Sequence, residues 1–242
     1  MSNRGTVVAA AVVGALLVGA AGIGIIYFVL FSGSSPQKLA LSSPTPSTSA
    51  SSASASPAST PAAGTWTVTS GSQAGYRVRE QLASLPAPSD AVGRTSAVTG
   101  TLLLAQSASG YSVTAASVRV DVSKLSSDQS RRDQRIRSQG LESDRYPTAT
   151  FQLATPITLP ATAASGQAIN VSATGALTVH GVTKTVTIPI MARLNGSKIE
   201  LVGAITFPFS QFGMTPPSIG GFVTVQDNAT MEFQIFLAPP GA

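Results

Sequence analysis

The chain has 242 residues, no cysteine, one histidine and a formal net charge of +5. Without cysteine there is no disulfide framework, thiol nucleophile, thiolate metal site or lipid-modified cysteine. Outside Arg4 and Lys38 the charge is nearly balanced, with 13 basic against 10 acidic residues. That excludes the one-sign stripe of a nucleic-acid surface.

Residues 1–5 form a short tail with one arginine. Residues 6–31, TVVAAAVVGALLVGAAGIGIIYFVLF, are uncharged and mostly apolar. A bilayer core takes about 20 apolar residues as a helix, whereas a signal peptide needs only ~7–15. An uncleaved membrane-spanning anchor is therefore expected. Arg4 favours a cytoplasmic amino end and places the remainder outside the cell membrane. Ala11, Ala15 and Gly19 recur four apart and leave a homodimer open, although small residues are common in membrane helices.

Residues 32–63 are dominated by Ser, Ala, Pro and Thr, with Lys38 as the one charge. They carry too little bulky apolar surface to offset ordering entropy, so a disordered stalk is expected. The remaining residues, 64–242, suffice for one domain with one sizeable core.

That domain alternates with period two. Val171, Ala173, Gly175, Leu177 and Val179 share one parity, as do Leu201, Gly203, Ile205, Phe207 and Phe209, and Met231, Phe233, Ile235 and Leu237. Such rows bury one face of a strand. About eight strands are expected, at 75–82, 95–104, 111–122, 148–156, 168–179, 182–194, 198–209 and 226–237. Turn signals at Ser109-Gly110, His180-Gly181 and Asn195-Gly196 make an antiparallel meander, and strands this long suit a closed barrel. One surface helix is expected near 127–139, capped by Ser126 or Ser127 and ended by Gly140. Residues 82–94 read as a Pro-containing insertion.

His180, in a tight turn, reads as structural in preference to catalytic, and no nucleophile or metal motif accompanies it. No enzyme activity, cofactor or metal is expected. Arg132, Asp133, Arg135 and Arg137 offer guanidinium groups that suit phosphate; a solvated helix face with an Asp133–Arg137 pair is favoured. Phe207, Phe209 and Phe212 make a dense aromatic patch.

Arg132-Asp133, Ile136-Arg137-Ser138, Tyr146-Pro147, Phe151, the 177–184 hairpin and Phe212-Gly213 occur in one order. Together they resemble the YceI-like family of lipocalin-like β-barrels that hold polyisoprenoids or other long-chain lipids, over about residues 66–237. The resemblance implies an open barrel and a membrane-tethered, extracytoplasmic protein that holds or hands over such a lipid. The partners are then that lipid and the bilayer, through residues 6–31, with no nucleic acid. Inward parity selects Val78, Phe151, Leu177, Val179, Val186, Ile188, Ile205, Phe207 and Phe233 as lining residues, with Arg132, Arg137 and His180 as a polar rim. Residues 82–94 and 214–221 depart from the family pattern at barrel ends. The alternatives are a filled barrel acting as an interaction module, and an envelope enzyme using His180.

Overall fold

Period-two patterning closes into a barrel because apolar residues occupy one face of the long strands. The computed structural model describes residues 35–43, 61–82, 88–108, 110–219 and 223–241. The expected anchor lies outside these residues, and no described helix is long and apolar enough to cross a membrane. The chain divides into Met1–Pro36 and Gln37–Ala242. Among the described residues, the second unit contains every strand and both hydrophobic clusters, so it can fold on its own core.

The strands are β1 (Gly64–Val68), β2 (Gln73–Leu82), β3 (Ser89–Thr95), β4 (Val98–Ser107), β5 (Gly110–Asp121), β6 (Thr148–Leu153), β7 (Ile157–Thr158), β8 (Ile169–Val179), β9 (Val182–Asn195), β10 (Lys198–Phe207), β11 (Ser218–Ile219) and β12 (Val223–Ala238). One antiparallel sheet runs β1-β4-β5-β6-β8-β9-β10-β12 and closes through β1–β12 pairing, giving eight strands around the ring. The β2–β3 hairpin extends the same wall from β12.

Residues 89–95, expected within an insertion, form β3 and pair with β2 from Ala74↔Thr95 to Glu80↔Ser89. Pro86, Pro88 and Gly93 hide this strand in the sequence; tertiary pairing overrides their weak β preference. β1 is likewise a strand beyond those expected.

Helix α1 (Ser130–Ser138) is surface-lying, as expected, but its N-cap is Gln129, which makes no side-chain cap bond. Ser127 instead donates its N–H (3.0 Å) and hydroxyl (2.7 Å) to Asp133 Oδ1. The Asp133 carboxylate is thereby occupied, and the expected Asp133–Arg137 pair is absent. Arg137 Nε reaches the Asp133 carbonyl at 3.4 Å. Gly140, at φ +68°, stops the helix as a glycine should.

The two barrel ends differ. The closed end collects α1, the β8–β9 turn and the segment after β10. The open end collects the β4–β5 turn, the segment between β7 and β8, the β9–β10 turn and the start of β1. Phe207, Phe209, Phe212, Met214, Val179 and Val186 pack solidly at the closed end. Phe207 and Phe212 meet edge to face, with centroids 4.7 Å apart.

Gly175 shows how tightly the inner wall is built. A Cβ there would fall 2.2 Å from the Gln152 carbonyl oxygen and 2.6 Å from the Phe151 ring. Gly175→Ala therefore has to push β6 away from β8. We expect a loss of about 1–3 kcal/mol by thermal or denaturant unfolding, because backbone oxygen cannot rotate aside as a side chain does.

The outer wall carries a buried polar seam. Glu200 and Glu232 occupy outward parity, yet are 0% and 4% exposed. Part of the stretch expected to be a stalk covers the seam. Ser42 donates its N–H and hydroxyl to Glu200 Oε1 at 2.7 and 2.8 Å. Gln234 donates to the Ala40 carbonyl at 3.1 Å, and Arg94 and Arg193 donate to the Gln37 and Ser42 carbonyls. The seam reads backbone groups, which an apolar-poor sequence offers as readily as any other. Residues 44–60 lie outside the described residues.

Candidate functional site

Part of the barrel interior is not filled. A cavity of about 170 Å³ starts at the open end, beside Tyr111, Leu159, Ala163 and Leu194, and descends to Leu177 and Ile188. Phe151, Ile190, Leu201, Ile205, Met231 and Phe233 point inward yet stay only half-buried, because they face this space. From Ile169 to Leu177 a strand advances about 26 Å at ~3.3 Å per residue; tilted 35–45°, it gives a depth of about 20 Å. A volume of about 170 Å³ over that depth makes the space narrow.

Of the residues selected by inward parity, Phe151, Leu177, Ile188, Ile205 and Phe233 border the cavity. Val78, Val179, Val186 and Phe207 belong to the solid cluster at the closed end. The cavity also uses a wall the sequence reading passed over: Leu102, Leu104, Tyr111, Val113, Ala116 and Val118 on β4 and β5. On β5 the alternation is interrupted opposite Leu103 and Leu104, where Thr114 is an extra residue between Val113 and Ala115, and this breaks the period-two signal.

The residues expected as a polar rim sit at the closed end, away from the mouth. Arg132 donates to Glu80 Oε1 at 2.7 Å and also pairs with Asp128. Burial opposes its charge, and these carboxylates outweigh that, holding it above its ordinary value. Burial pushes the neighbouring Tyr76 phenol up, against the opposing effect of Arg132. Arg137 is exposed.

His180, in a left-handed conformation (φ 52°), places Nε2 2.6 Å from Glu142 Oε2 and Nδ1 3.2 Å from the Phe212 carbonyl oxygen. The Tyr146 ring lies 4.4 Å away, centroid to centroid. Both nitrogens face acceptors, so the ring fastens the β8–β9 turn to two closed-end segments. No group of three or more metal-ligating side chains occurs among the described residues.

The YceI-like domain family model matches residues 66–237. That span contains the whole closed sheet except the outer residues of β1 and β12.

The chain belongs to the YceI-like family.

Among curated proteins, none matches. Solved structures do. A polyisoprenoid-binding domain from Saccharophagus degradans, implicated in plant cell wall breakdown, is 14% identical, with 74% of this chain and 100% of that chain covered and a TM-score of 0.52. BcnA from Burkholderia cenocepacia is 17% identical, with 67% and 95% covered and a TM-score of 0.49. A Campylobacter jejuni YceI protein is 14% identical, with 57% and 79% covered and a TM-score of 0.43. At these identities the first likeness is one of fold. In this YceI-like barrel the family's Arg-Asp helix and His-Gly turn are closed-end fasteners, and the open interior lies above them.

Proposed function

We propose that this chain is a membrane-tethered, extracytoplasmic YceI-like barrel that holds an isoprenoid or other long-chain lipid and hands it over within the cell envelope. The deep apolar cavity carries the reading. An empty apolar void of about 170 Å³ costs roughly 4 kcal/mol at ~24 cal/mol per Å³. A chain that fills it relieves that cost and adds about 0.8 kcal/mol per buried CH₂, enough to offset the losses of association. Narrowness supports a single extended chain over a fused-ring molecule. Binding requires no proton transfer. The uncharged run at residues 6–31 and the Ser/Ala/Pro/Thr-rich stretch after it support tethering outside the cytoplasm.

The test is native mass spectrometry with organic extraction on the Gln37–Ala242 unit, purified from a lipid-containing host. We expect a stoichiometric hydrophobic adduct, released by solvent and identifiable by chain length. A clean protein mass, with no uptake of added polyprenols or fatty acids, would overturn the reading.

A further inference from the structure

A strap of chain lies across the outer wall, over the buried polar seam. Residues 37–43 form no strand, and side chains from four strands hold them. Arg94 on β3 donates to the Gln37 carbonyl, Gln234 on β12 to the Ala40 carbonyl at 3.1 Å, and Arg193 on β9 to the Ser42 carbonyl. Glu200 on β10 accepts the Ser42 N–H and hydroxyl at 2.7 and 2.8 Å. The sheet order β9-β10-β12-β2-β3 puts four strand spacings between the two ends, about 19 Å at ~4.8 Å each. The five steps from Gln37 to Ser42 span about 17 Å when extended, so the strap is drawn nearly straight.

This strap is an attachment to the wall and not part of the core. Neither hydrophobic cluster includes any residue from it. Leu39 is half-buried in an outer groove beside Pro189, Met191 and Val202. When the strap lifts, Glu200 keeps Arg193 and Gln234, so no buried charge is stranded. Bonds to charged groups favour the closed strap, and the entropy of ordering seven residues opposes it on a similar scale. Opposing terms of similar size make the attachment reversible.

Its place in the chain gives that reversibility a use. Five residues, 32–36, separate the strap from the uncharged run at 6–31. With the strap down, those five span at most about 17 Å. With it lifted, the 32 residues from 32 to 63 join that run to β1 and reach up to about 110 Å.

We infer that residues 37–43 are a reversible clasp that sets how far the barrel stands from the bilayer. Shut, it keeps the barrel close to the membrane, where a lipid is taken up; open, it lets the barrel swing out for handover. This rests on the membrane-tethered reading and adds control of reach to it.

The experiment uses the full chain reconstituted in phosphatidylcholine vesicles. Lys38 is the only Lys or Arg between Arg4 and Arg77, and its bond to Leu39 lies between the fastened carbonyls of Gln37 and Ala40. Trypsin cutting there releases a barrel that begins at Leu39, identified by mass, at a rate set by how often the clasp opens. Ser42→Pro removes both donors to Glu200 and alters no barrel residue. It is expected to speed release at least ~10-fold, with Ser42→Ala, which loses only the hydroxyl, in between. The chain has no cysteine, so Ser197→Cys on the β9–β10 turn takes a single fluorophore. Energy transfer to a dye in the bilayer should place that label about 20 Å farther out in Ser42→Pro. Equal release rates in wild type and variant overturn the clasp. Faster release with the label at an unchanged height overturns control of reach. Failure of the chain to float with the vesicles overturns the tethered reading and the inference on it, whereas the lipid adduct of Gln37–Ala242 is read apart from both.

Discussion

Ala116→Phe is expected to abolish lipid retention while leaving the barrel folded. Ala116 sits midway along β5 with its methyl group facing the cavity. A phenyl ring there projects into a narrow space, so an incoming lipid loses everything below it. Exclusion of five methylenes removes about 4 kcal/mol at ~0.8 kcal/mol each, close to a thousand-fold in affinity. The ring occupies existing void, so overpacking strain is offset by filling the cavity, and stability should change by less than about 1.5 kcal/mol. Ala192→Leu on β9, also in the lining, should give a smaller loss of the same kind. The measurement is retained lipid per barrel after purification, alongside the unfolding midpoint. Full retention in a folded Ala116→Phe protein would mean that the lipid lies elsewhere.

The barrel was legible in the sequence because its physical causes are local. Gly181 and Gly196 occupy the left-handed conformations (φ 72° and 61°) that two-residue turns demand, and each stands between two rows of alternating apolar residues. Register follows from those turns. β3 was hidden because Asp90, Gly93 and Arg94 contradict a strand preference, and only pairing with β2 decides the matter. Parity placed residues inside correctly but carried no height along the axis. Val179 and Phe207 share a parity with Leu177 and Ile205, yet lie at the solid end. Whether an inward side chain meets a void or a neighbour depends on packing across the barrel, and a one-dimensional pattern does not hold that information. The seam failed to show for the opposite reason: Glu200 looks like an ordinary outward carboxylate until Ser42, remote in sequence, is laid over it.

That seam supports the prediction with the largest expected effect on stability. Glu200 accepts from Arg193 Nε at 3.0 Å, from Gln234 at 2.9 Å and from Ser42, and is wholly shielded from solvent. Glu200→Ala removes one member of a buried pair, leaves the Arg193 guanidinium without its counter-charge and frees two Ser42 donors. Breaking such a pair costs about 3–5 kcal/mol, for a domain of this size roughly 10 °C in unfolding midpoint. Arg193→Ala should cost a similar amount, and the double variant less than the sum of the two, because the residues act on one another. Acid should reach the same weakness. Burial alone would raise the Glu200 carboxyl, but the donors from Ser42, Gln234 and Arg193 outweigh it and hold it below its ordinary value of 4.5. A depressed carboxyl contributes stability that is fully present above about 4.5 and is lost as pH falls through the lower folded value. Unfolding free energy of Gln37–Ala242 should therefore fall steeply below pH about 4.5. In Glu200→Ala the fall should be shallower, starting from an already reduced level. Removing residues 37–43 takes away the Ser42 donors, so the acid fall should also flatten in a chain that begins at residue 61. An acid profile identical in all three proteins would show that Glu200 and the segment over it do not act together.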